Sequence, residues 1–387
     1  MPESRWIDDQ DEFDRLMEKL AGVSEYALDT EFHRERSYFP HLALIQISWE
    51  EEGRLEIVVI DPLALDMTSM RGMLESDALA VLHAADQDLE VLYRACQRVP
   101  QRLFDTQIAA AFLGMGFASL ARLVQALEDK RLPKGDRLTD WTRRPLDEGQ
   151  IRYAASDVEF LLGMRRELIA RAEKSGTLVW IEEECERLRK KDVTPLDPDT
   201  AWWKIKGSRN LHGSNIGVAQ AVGAWRERSA QRRDLPPRFV LADLGLAGIV
   251  QRAPRTAEDL KKIRGYDGRF GKNGGEQGIL DAVAAGLKLD DSELRRPPRG
   301  ERPGEDLGAI VALAQAMVAQ ISAETGIEAS MLGNRADIQA LAWGRKSGRL
   351  SQGWRAEIAG HRLQELLDGR VGLAGDGKGG VRIAPLA

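Results

Sequence analysis

Two carboxylates follow a short apolar segment and lie two residues apart. Asp29 and Glu31 come directly after Tyr26–Leu28. If this segment is a strand, the spacing points both side chains toward one face of the sheet. Like charges held side by side need a counter-charge, which a divalent cation with oxygen ligands supplies. The alternative is that Glu31 lies beyond the strand end in solvent, and the pair taken alone favours this alternative.

Two further acidic residues strengthen the case for a cation site. Asp88 opens the predicted helix Asp88–Cys96 directly after the predicted strand Ala80–His83. Helix capping is the alternative role for this aspartate, because Asp is a preferred N-cap residue. Asp157 lies inside a predicted helix, Asp147–Ala172, whose apolar composition is typical of a buried element. An aspartate there needs a partner, because burying an unpaired carboxylate is costly.

The elements that must position these acids alternate in the first half of the chain. Predicted strands are Tyr26–Asp29, Leu42–Ile47, Leu55–Ile60 and Ala80–His83, and predicted helices are Asp88–Cys96, Asp105–Phe112 and Asp147–Ala172. This alternation predicts an α/β sheet with helices on its faces. After residue 192 no strand is predicted, and the helical segments are 218–228, 257–263, 276–287, 307–324 and 335–343.

Two proline-rich segments divide the chain into three predicted units. Residues 193–206 and 295–304 are predicted linkers. They separate an α/β domain at 1–192 from two small all-α domains at 207–294 and 305–370. The glycine-rich residues 371–387 are predicted to form a loosely ordered tail.

Composition narrows the class of protein. Of 387 residues, 43% are hydrophobic and 30% charged, and no apolar stretch reaches the roughly 18 residues of a membrane span. The start of the chain lacks the basic and apolar segments of a secretory signal. The two cysteines, Cys96 and Cys185, exclude a cysteine-built zinc site and a disulfide framework. We therefore expect a cytoplasmic protein without a membrane partner.

Charge is unevenly distributed along the chain. Residues 200–302 contain 20 Lys or Arg and 12 Asp or Glu, whereas the whole chain has a net charge of −6. A basic segment attached to an acidic body is typical of proteins that contact phosphate. The alternative is an ordinary helical domain with charged faces, and charge alone does not decide between the two.

Together these residues resemble a known family of nucleases. Asp29, Glu31, Asp88 and Asp157, with Tyr153 four residues before the last, match the three exonuclease motifs of the DEDD superfamily, and the tyrosine resembles its DEDDy branch. Several segments are similar to ribonuclease D specifically: Leu28–Phe32, Leu82–Ala84, Asp88–Val91, Phe104–Gln107, Thr139–Trp141, Arg144–Leu146 and Tyr153–Asp157. The helical remainder resembles paired HRDC (helicase and RNase D C-terminal) domains. The resemblance implies an RNase H-like exonuclease domain with a mixed sheet.

The resemblance also implies a metal-dependent site. Two Mg²⁺ or Mn²⁺ ions about 3.5–4 Å apart can activate water and stabilise both phosphate oxygens of an in-line displacement. Asp29 is expected to bridge both ions, Glu31 and Asp157 to complete the first, and Asp88 to support the second. Tyr153 is expected to orient the attacking water, because a phenol with a pKa of about 10 is a poor base.

Four residues ahead of the helix that carries Asp157 are candidate substrate contacts. Lys134, Arg137 and Arg144 surround Trp141. Basic residues interleaved with an aromatic suit a single-stranded end, whose bases stack while its phosphates pair with cations. The alternative is a polar loop anchored by a buried Trp141.

The function implied by the resemblance is 3′→5′ exoribonuclease activity that releases nucleoside 5′-monophosphates. The expected substrates are RNAs with a free single-stranded 3′ end, especially tRNA precursors, and the expected enzyme is a monomer. One alternative is a DNA exonuclease of the same superfamily, because 2′-hydroxyl contacts leave no short sequence motif. The other is a non-catalytic RNA-binding protein on a nuclease fold, which the complete set of four acids and Tyr153 disfavours.

Overall fold

The computed structural model describes residues 4–133, 139–268, 275–297 and 307–386. These residues form two compact units. The first unit contains residues 4–31, 43–191 and 307–386, and the second contains residues 32–42 and 192–297. The three independent units expected from the proline-rich segments are therefore not observed. The C-terminal residues instead share the apolar core of the α/β domain.

A six-stranded mixed sheet forms the centre of the first unit, in the order β1-β4-β3-β2-β5-β6. The strands are β1 Ser4–Ile7, β2 Glu25–His33, β3 His41–Glu51, β4 Arg54–Ile60, β5 Leu79–Leu82 and β6 Arg102–Asp105. β1 is parallel to β4, β5 is parallel to both β2 and β6, and β3 is antiparallel to β4. Every residue from Ala43 to Trp49 is buried, so helices and loops cover both faces of β3. The predicted mixed sheet is confirmed.

Eight α-helices lie among the described residues of the α/β domain. They are α1 Gln10–Leu20, α2 Arg71–Leu74, α3 Asp86–Cys96, α4 Thr106–Phe112, α5 Leu120–Glu128, α6 Glu148–Glu159, α7 Leu161–Ser175 and α8 Leu178–Arg189. The single helix predicted over Asp147–Ala172 is wrong, because the chain breaks at Phe160 between α6 and α7. Both helices bury apolar residues such as Val158 and Leu162, so the periodicity continues across the break.

The second unit is a small helical domain. Its helices are α9 Ser214–Arg233, α10 Pro237–Val240, α11 Asp243–Arg252, α12 Ala257–Lys261 and α13 Gly275–Gly286. α9 and α13 approach each other closely, since a Cβ on Gly217 would lie 2.2 Å from the carbonyl oxygen of Gly286. The linker predicted at 193–206 is wrong in part: Pro198–Lys204 is a 3₁₀ turn, and Trp202 is 1% exposed in the core of this domain.

The C-terminal residues complete the first unit. They form α14 Gly308–Thr325, α15 Ala329–Leu332, α16 Arg335–Ala342, α17 Gly353–Arg355, a π-helical turn Ala356–Gly360, α18 His361–Leu367, β7 Val371–Gly375 and β8 Val381–Pro385. The loose tail predicted at 371–387 is thus wrong for its described part, because β7 and β8 pair as an antiparallel hairpin. Most of the linker predicted at 295–304 lies outside the described residues.

No single helix among the described residues is long and apolar enough to cross a membrane. α14 and residues Ala329–Ala342 reach the required length and apolar character only when they are taken together, and the two segments are bent by 115°.

Candidate active site

Neighbouring parallel strands bring acidic residues to one edge of the sheet. β2 carries Asp29 and Glu31. Tyr26 of β2 pairs with Ala80 of β5, and β5 leads through residues 83–85 into α3, which carries Asp88. Because parallel neighbours end at the same edge, residues far apart in sequence meet there.

The acids form one cluster. Carboxylate oxygens of Asp29, Glu31 and Asp157 all lie within 4.8 Å of one another, and the three residues are half-buried. Glu31 lies inside β2, which runs to His33, so the alternative that placed it beyond the strand is wrong. Asp88 is 7% exposed and accepts a hydrogen bond of 2.5 Å from the Thr30 hydroxyl. Asp88 does not cap α3, whose N-cap residue is Ala85.

Helix α6 presents Asp157 and Tyr153 on one face. Ser48 of β3 donates a hydrogen bond of 2.9 Å to the carbonyl oxygen of Val158, which ties the helix to the sheet. The Tyr153 ring stacks on Trp141 with ring centroids 6.2 Å apart and an angle of 20° between the rings. Trp141 is 9% exposed, so the Tyr153 ring stacks on a side chain that is itself buried. The Ser48 bond therefore holds the backbone of α6 next to Asp157, and Trp141 holds the ring of Tyr153.

Burial raises the pKa of every acid in the cluster, and repulsion from the other acids raises the pKa of Asp29 and Glu31 further. Burial and the charges of Asp88, Asp157 and Glu31 hold the pKa of Asp29 well above its usual range. Burial, then Asp157 and Asp88, raises the pKa of Glu31 to about 8. Burial raises the pKa of Asp157 to about 7 and that of Asp88 to about 6. Without a counter-charge, the cluster therefore holds protons near neutral pH.

The donor set fits a hard divalent cation. All the groups that converge here are carboxylates, the oxygen ligands preferred by Mg²⁺ and Mn²⁺. A cation would lower the repulsion that raises these pKa values. Among the described residues, this is the one group of three or more potential ligand side chains with this spacing.

The structure describes two of the four predicted substrate contacts, and both of these make contacts within the protein. Lys134 and Arg137 lie outside the described residues. Trp141 is buried against Tyr153, which favours the alternative of an anchoring residue. Arg144 donates to both oxygens of Asp61, at 2.6 Å each, and to the carbonyls of Ala43, Trp141 and Arg143. All five guanidinium donors are thus used within the protein, so we correct the predicted role of Arg144 from RNA contact to structural support.

The structure adds three polar residues that sequence reasoning did not place at the site. Thr30 binds the carboxylate of Asp88, Ser48 binds the backbone next to Asp157, and Asp105 binds the loop before α3. Thr30 lies between the two acids of β2, and this position is the one sequence feature that could have predicted its place at the site. Ser48 has no such sequence feature, because its partner is a backbone group of a distant segment. Asp105 lies in the family-like segment Phe104–Gln107, but its bonds to residues 84 and 85 leave no local pattern.

Known proteins share this architecture over nearly the whole chain. Residues 4–172 match the family model for 3′–5′ exonucleases, and residues 216–283 match the HRDC domain. The chain is 35% identical to ribonuclease D of Gluconacetobacter diazotrophicus, over 94% of this chain and 92% of that protein. It is 36% identical to ribonuclease D of Sphingobium indicum, over 92% of each. The chain belongs to the ribonuclease D family.

A solved structure supports the same assignment. The crystal structure of Escherichia coli RNase D, described as an exoribonuclease involved in structured RNA processing, aligns with a TM-score of 0.84 and 30% identity. The alignment covers 95% of this chain and 99% of that one. The predicted ribonuclease D resemblance is confirmed, and the chain is a hydrolytic 3′→5′ exoribonuclease with an exonuclease domain and an HRDC domain.

The raised pKa values predict how pH controls cation binding at this acidic cluster. In the folded state the pKa of Glu31 is raised to about 8 and that of Asp157 to about 7, whereas unfolded carboxyls lose their protons near pH 4. The free energy of unfolding of the metal-free protein should therefore fall as pH rises from about 4 to about 8. Cations bind the deprotonated acids, so apparent Mg²⁺ affinity should rise at least about tenfold from pH 6 to pH 8.

Thermal unfolding measured with and without Mg²⁺ at pH 6 and pH 8 tests this prediction. The increase in Tm caused by Mg²⁺ should be larger at pH 8. Glu31→Gln removes one repelling charge, so without metal it should melt above wild type at pH 8 and close to it at pH 5. A Mg²⁺ effect of equal size at both pH values would contradict the prediction.

Proposed function

We propose that this chain removes nucleotides one at a time from RNA 3′ ends by a two-metal mechanism and releases nucleoside 5′-monophosphates. The observation that carries the proposal is the convergence of Asp29, Glu31 and Asp157 within 4.8 Å, with Asp88 beside them. Asp29 would contact both cations, Glu31 and Asp157 would complete the first site, and Asp88 would support the second, partly through water. Bound Mg²⁺ or Mn²⁺ would supply an activated water and neutralise charge at the phosphate.

Tyr153 would orient the attacking water rather than remove its proton. Its ring is held by Trp141, which fixes the direction of the phenol hydroxyl. Tyr153→Phe keeps the ring and its stacking but removes the hydroxyl. We expect kcat to fall about 10–100-fold with Mg²⁺ affinity unchanged, because a hydrogen bond to a charged group contributes about 1.5–3 kcal/mol. Single-turnover hydrolysis and calorimetric Mg²⁺ titration measure the two quantities, and a loss of Mg²⁺ binding would contradict this role.

Small structured RNAs with single-stranded 3′ extensions, tRNA precursors among them, are the proposed substrates. The support comes from the Escherichia coli relative, whose described role is structured RNA processing. The basic balance of residues 200–302, which include the HRDC match, also suits a phosphate-bearing partner. A paired stem would be too wide for the site, so trimming would stop close to the stem.

Matched single strands of RNA and DNA, both labelled internally, separate this proposal from a DNA exonuclease. The proposal predicts a ladder of RNA products that shorten by one nucleotide in Mg²⁺ or Mn²⁺ and no shortening in chelator. DNA should be shortened much more slowly. A 3′-extended tRNA should shorten to a product that ends near its acceptor stem. Equal rates on both strands would favour the DNA alternative, and intact RNA with either metal would contradict the exoribonuclease proposal.

We further propose that the C-terminal helices are a diverged second HRDC-like domain and that the enzyme acts as a monomer. The helical character of residues 308–367, which follow the HRDC match at 216–283, supports the first point. Sedimentation at micromolar concentration tests the second point, and a mass near 43.0 kDa is expected.

A further inference from the structure

We propose that Asp105 is a positioning residue that holds Asp88 at the metal site by binding the loop in front of helix α3. The inference rests on the proposed function, since it assigns Asp88 to the cations. Asp105 ends β6 and precedes α4, and it is 1% exposed. Its carboxylate is therefore a buried group whose partners define its role.

The partners of Asp105 come from two separate segments. Its Oδ1 accepts hydrogen bonds from the backbone N–H groups of Gln107 at 2.8 Å and Ile108 at 3.2 Å, the expected pattern of an N-cap. The same carboxylate accepts from Ala84 at 3.1 Å and from Ala85 at 2.8 Å, the latter through Oδ2. Capping of α4 needs neither of these two bonds. Asp105 thus has a second role, at the loop that follows β5.

This loop directs the chain into α3. Ala84 has a φ of 60°, a left-handed conformation that a residue with a Cβ seldom adopts. No side chain caps the N-terminus of α3 from its N-cap position at Ala85. Asp105 instead fixes the start of the helix, because it binds the amides of the last two loop residues. Asp88 lies three residues after Ala85, in the first turn of α3, so its backbone position depends on this loop.

A second contact fixes the side chain of Asp88. The Thr30 hydroxyl donates to its Oδ1 at 2.5 Å, and Thr30 is 5% exposed. Thr30 lies between Asp29 and Glu31 in β2, so one hydrogen bond joins the two acidic motifs directly. Asp105 therefore sets the backbone of Asp88 and Thr30 sets its carboxylate.

Such restraint is needed because the acids repel one another. The charge of Asp88 is among the groups that raise the pKa of both Asp29 and Glu31. An unrestrained carboxylate would turn away from this cluster, and metal ligands depend on the contacts that orient them. Removal of such contacts costs about 10–100-fold in metal affinity or activity.

Asp105→Asn separates the two roles of Asp105. Asn is as good an N-cap as Asp, so its carbonyl oxygen can still cap α4. Its NH₂ group cannot accept the hydrogen bond from Ala85, so the loop before α3 loses a partner. The matched control is Asp147→Asn, the N-cap of α6, whose carboxylate accepts from the Gln150 backbone and holds no second loop.

We expect Asp105→Asn to need at least about tenfold more Mg²⁺ for half-maximal binding by calorimetry and for half-maximal kcat. KM for RNA should stay within about twofold, because no substrate contact is removed. Hydrogen exchange at the Ala85 amide should speed up. Asp147→Asn should show none of these changes. Thr30→Val should shift Mg²⁺ binding in the same direction, and Thr30→Ser, which keeps the hydroxyl, should restore it.

The results distinguish failure of this inference from failure of the proposed function. If wild type binds Mg²⁺ and trims RNA while Asp105→Asn has a wild-type Mg²⁺ titration, Asp105 is a helix cap only and the inference is overturned. A lower Tm with an unchanged Mg²⁺ titration would overturn it as well. If wild type itself neither binds Mg²⁺ nor trims RNA, the proposed function fails instead.

Discussion

Asp29→Asn is expected to lower kcat for RNA shortening on the order of 10³-fold or more while the protein stays folded. Asp29 lies at the centre of the cluster, since its pKa responds to all three other acids. The substitution keeps the size of the side chain but removes a negative charge that both proposed cations need. Release of mononucleotides from a 3′-extended tRNA in Mg²⁺ or Mn²⁺ measures the effect.

Asp86→Asn provides a matched control for this loss. Asp86 begins α3 two residues before Asp88, but its carboxylate is 54% exposed and paired with Lys191. Its removal should change kcat by less than about twofold, because an exposed ion pair contributes little. Without metal, Asp29→Asn should also raise the Tm at pH 8, since it relieves repulsion in the cluster. If Asp29→Asn trims RNA at the wild-type rate, the metal site lies elsewhere.

The acids of this site could be proposed from sequence because together with Tyr153 they match the motifs of a known family, and because part of their spacing is local. Asp29 and Glu31 share a strand face at i and i+2, and Tyr153 and Asp157 share a helix face at i and i+4. The contacts that hold these acids could not be predicted in the same way. Ser48 reaches the carbonyl of Val158, 110 residues further along the chain, and any serine in a strand would look alike. Tertiary partners of single polar groups leave no periodic pattern.

The domain division shows the same limit on a larger scale. Proline-rich segments predict where a chain leaves a compact unit, but they do not predict where it returns. The C-terminal helices pack into the core of the α/β domain, which no property of residues 307–386 alone reveals. β1 and β6 were also missed, because each has four residues, too few for an alternating pattern to stand out. β5 is equally short, but its continuous apolar run made it predictable.

A buried ion pair joins the C-terminal helices to the α/β domain. Arg355 of α17 donates to Glu184 of α8 at 2.5 Å, and the two side chains are 7% and 3% exposed. Arg355 also donates to the carbonyl of Met331 at 2.7 Å, and Trp354 beside it packs edge-on against Phe112. Burial alone would raise the pKa of Glu184, but hydrogen bonds from Arg355 and Arg187 outweigh it and lower this pKa to about 2. The carboxylate is thus charged at neutral pH and depends on these arginines.

Arg355→Ala should lower the free energy of unfolding by about 3–5 kcal/mol, because it leaves Glu184 buried without its main partner. Urea unfolding followed by tryptophan fluorescence measures this, since Trp354 and Trp180 stack with ring centroids 5.8 Å apart at this contact. Arg187→Ala is the matched control. It removes a second partner of the same carboxylate, but Arg187 is 58% exposed, so a loss under about 1 kcal/mol is expected.

The double variant Glu184→Met, Arg355→Met tests whether the penalty comes from the unpaired charge. Replacing both partners by apolar groups removes the charge that Arg355→Ala leaves behind, so the double variant should be more stable than Arg355→Ala.

The lowered pKa of Glu184 determines how the stability of wild type changes with pH. Its stabilisation is fully present above about pH 4.5 and is lost as pH falls toward 2, so the stability of wild type relative to the double variant should fall in acid. Equal stability of Arg355→Ala and Arg187→Ala would show that the C-terminal helices are held by apolar packing alone.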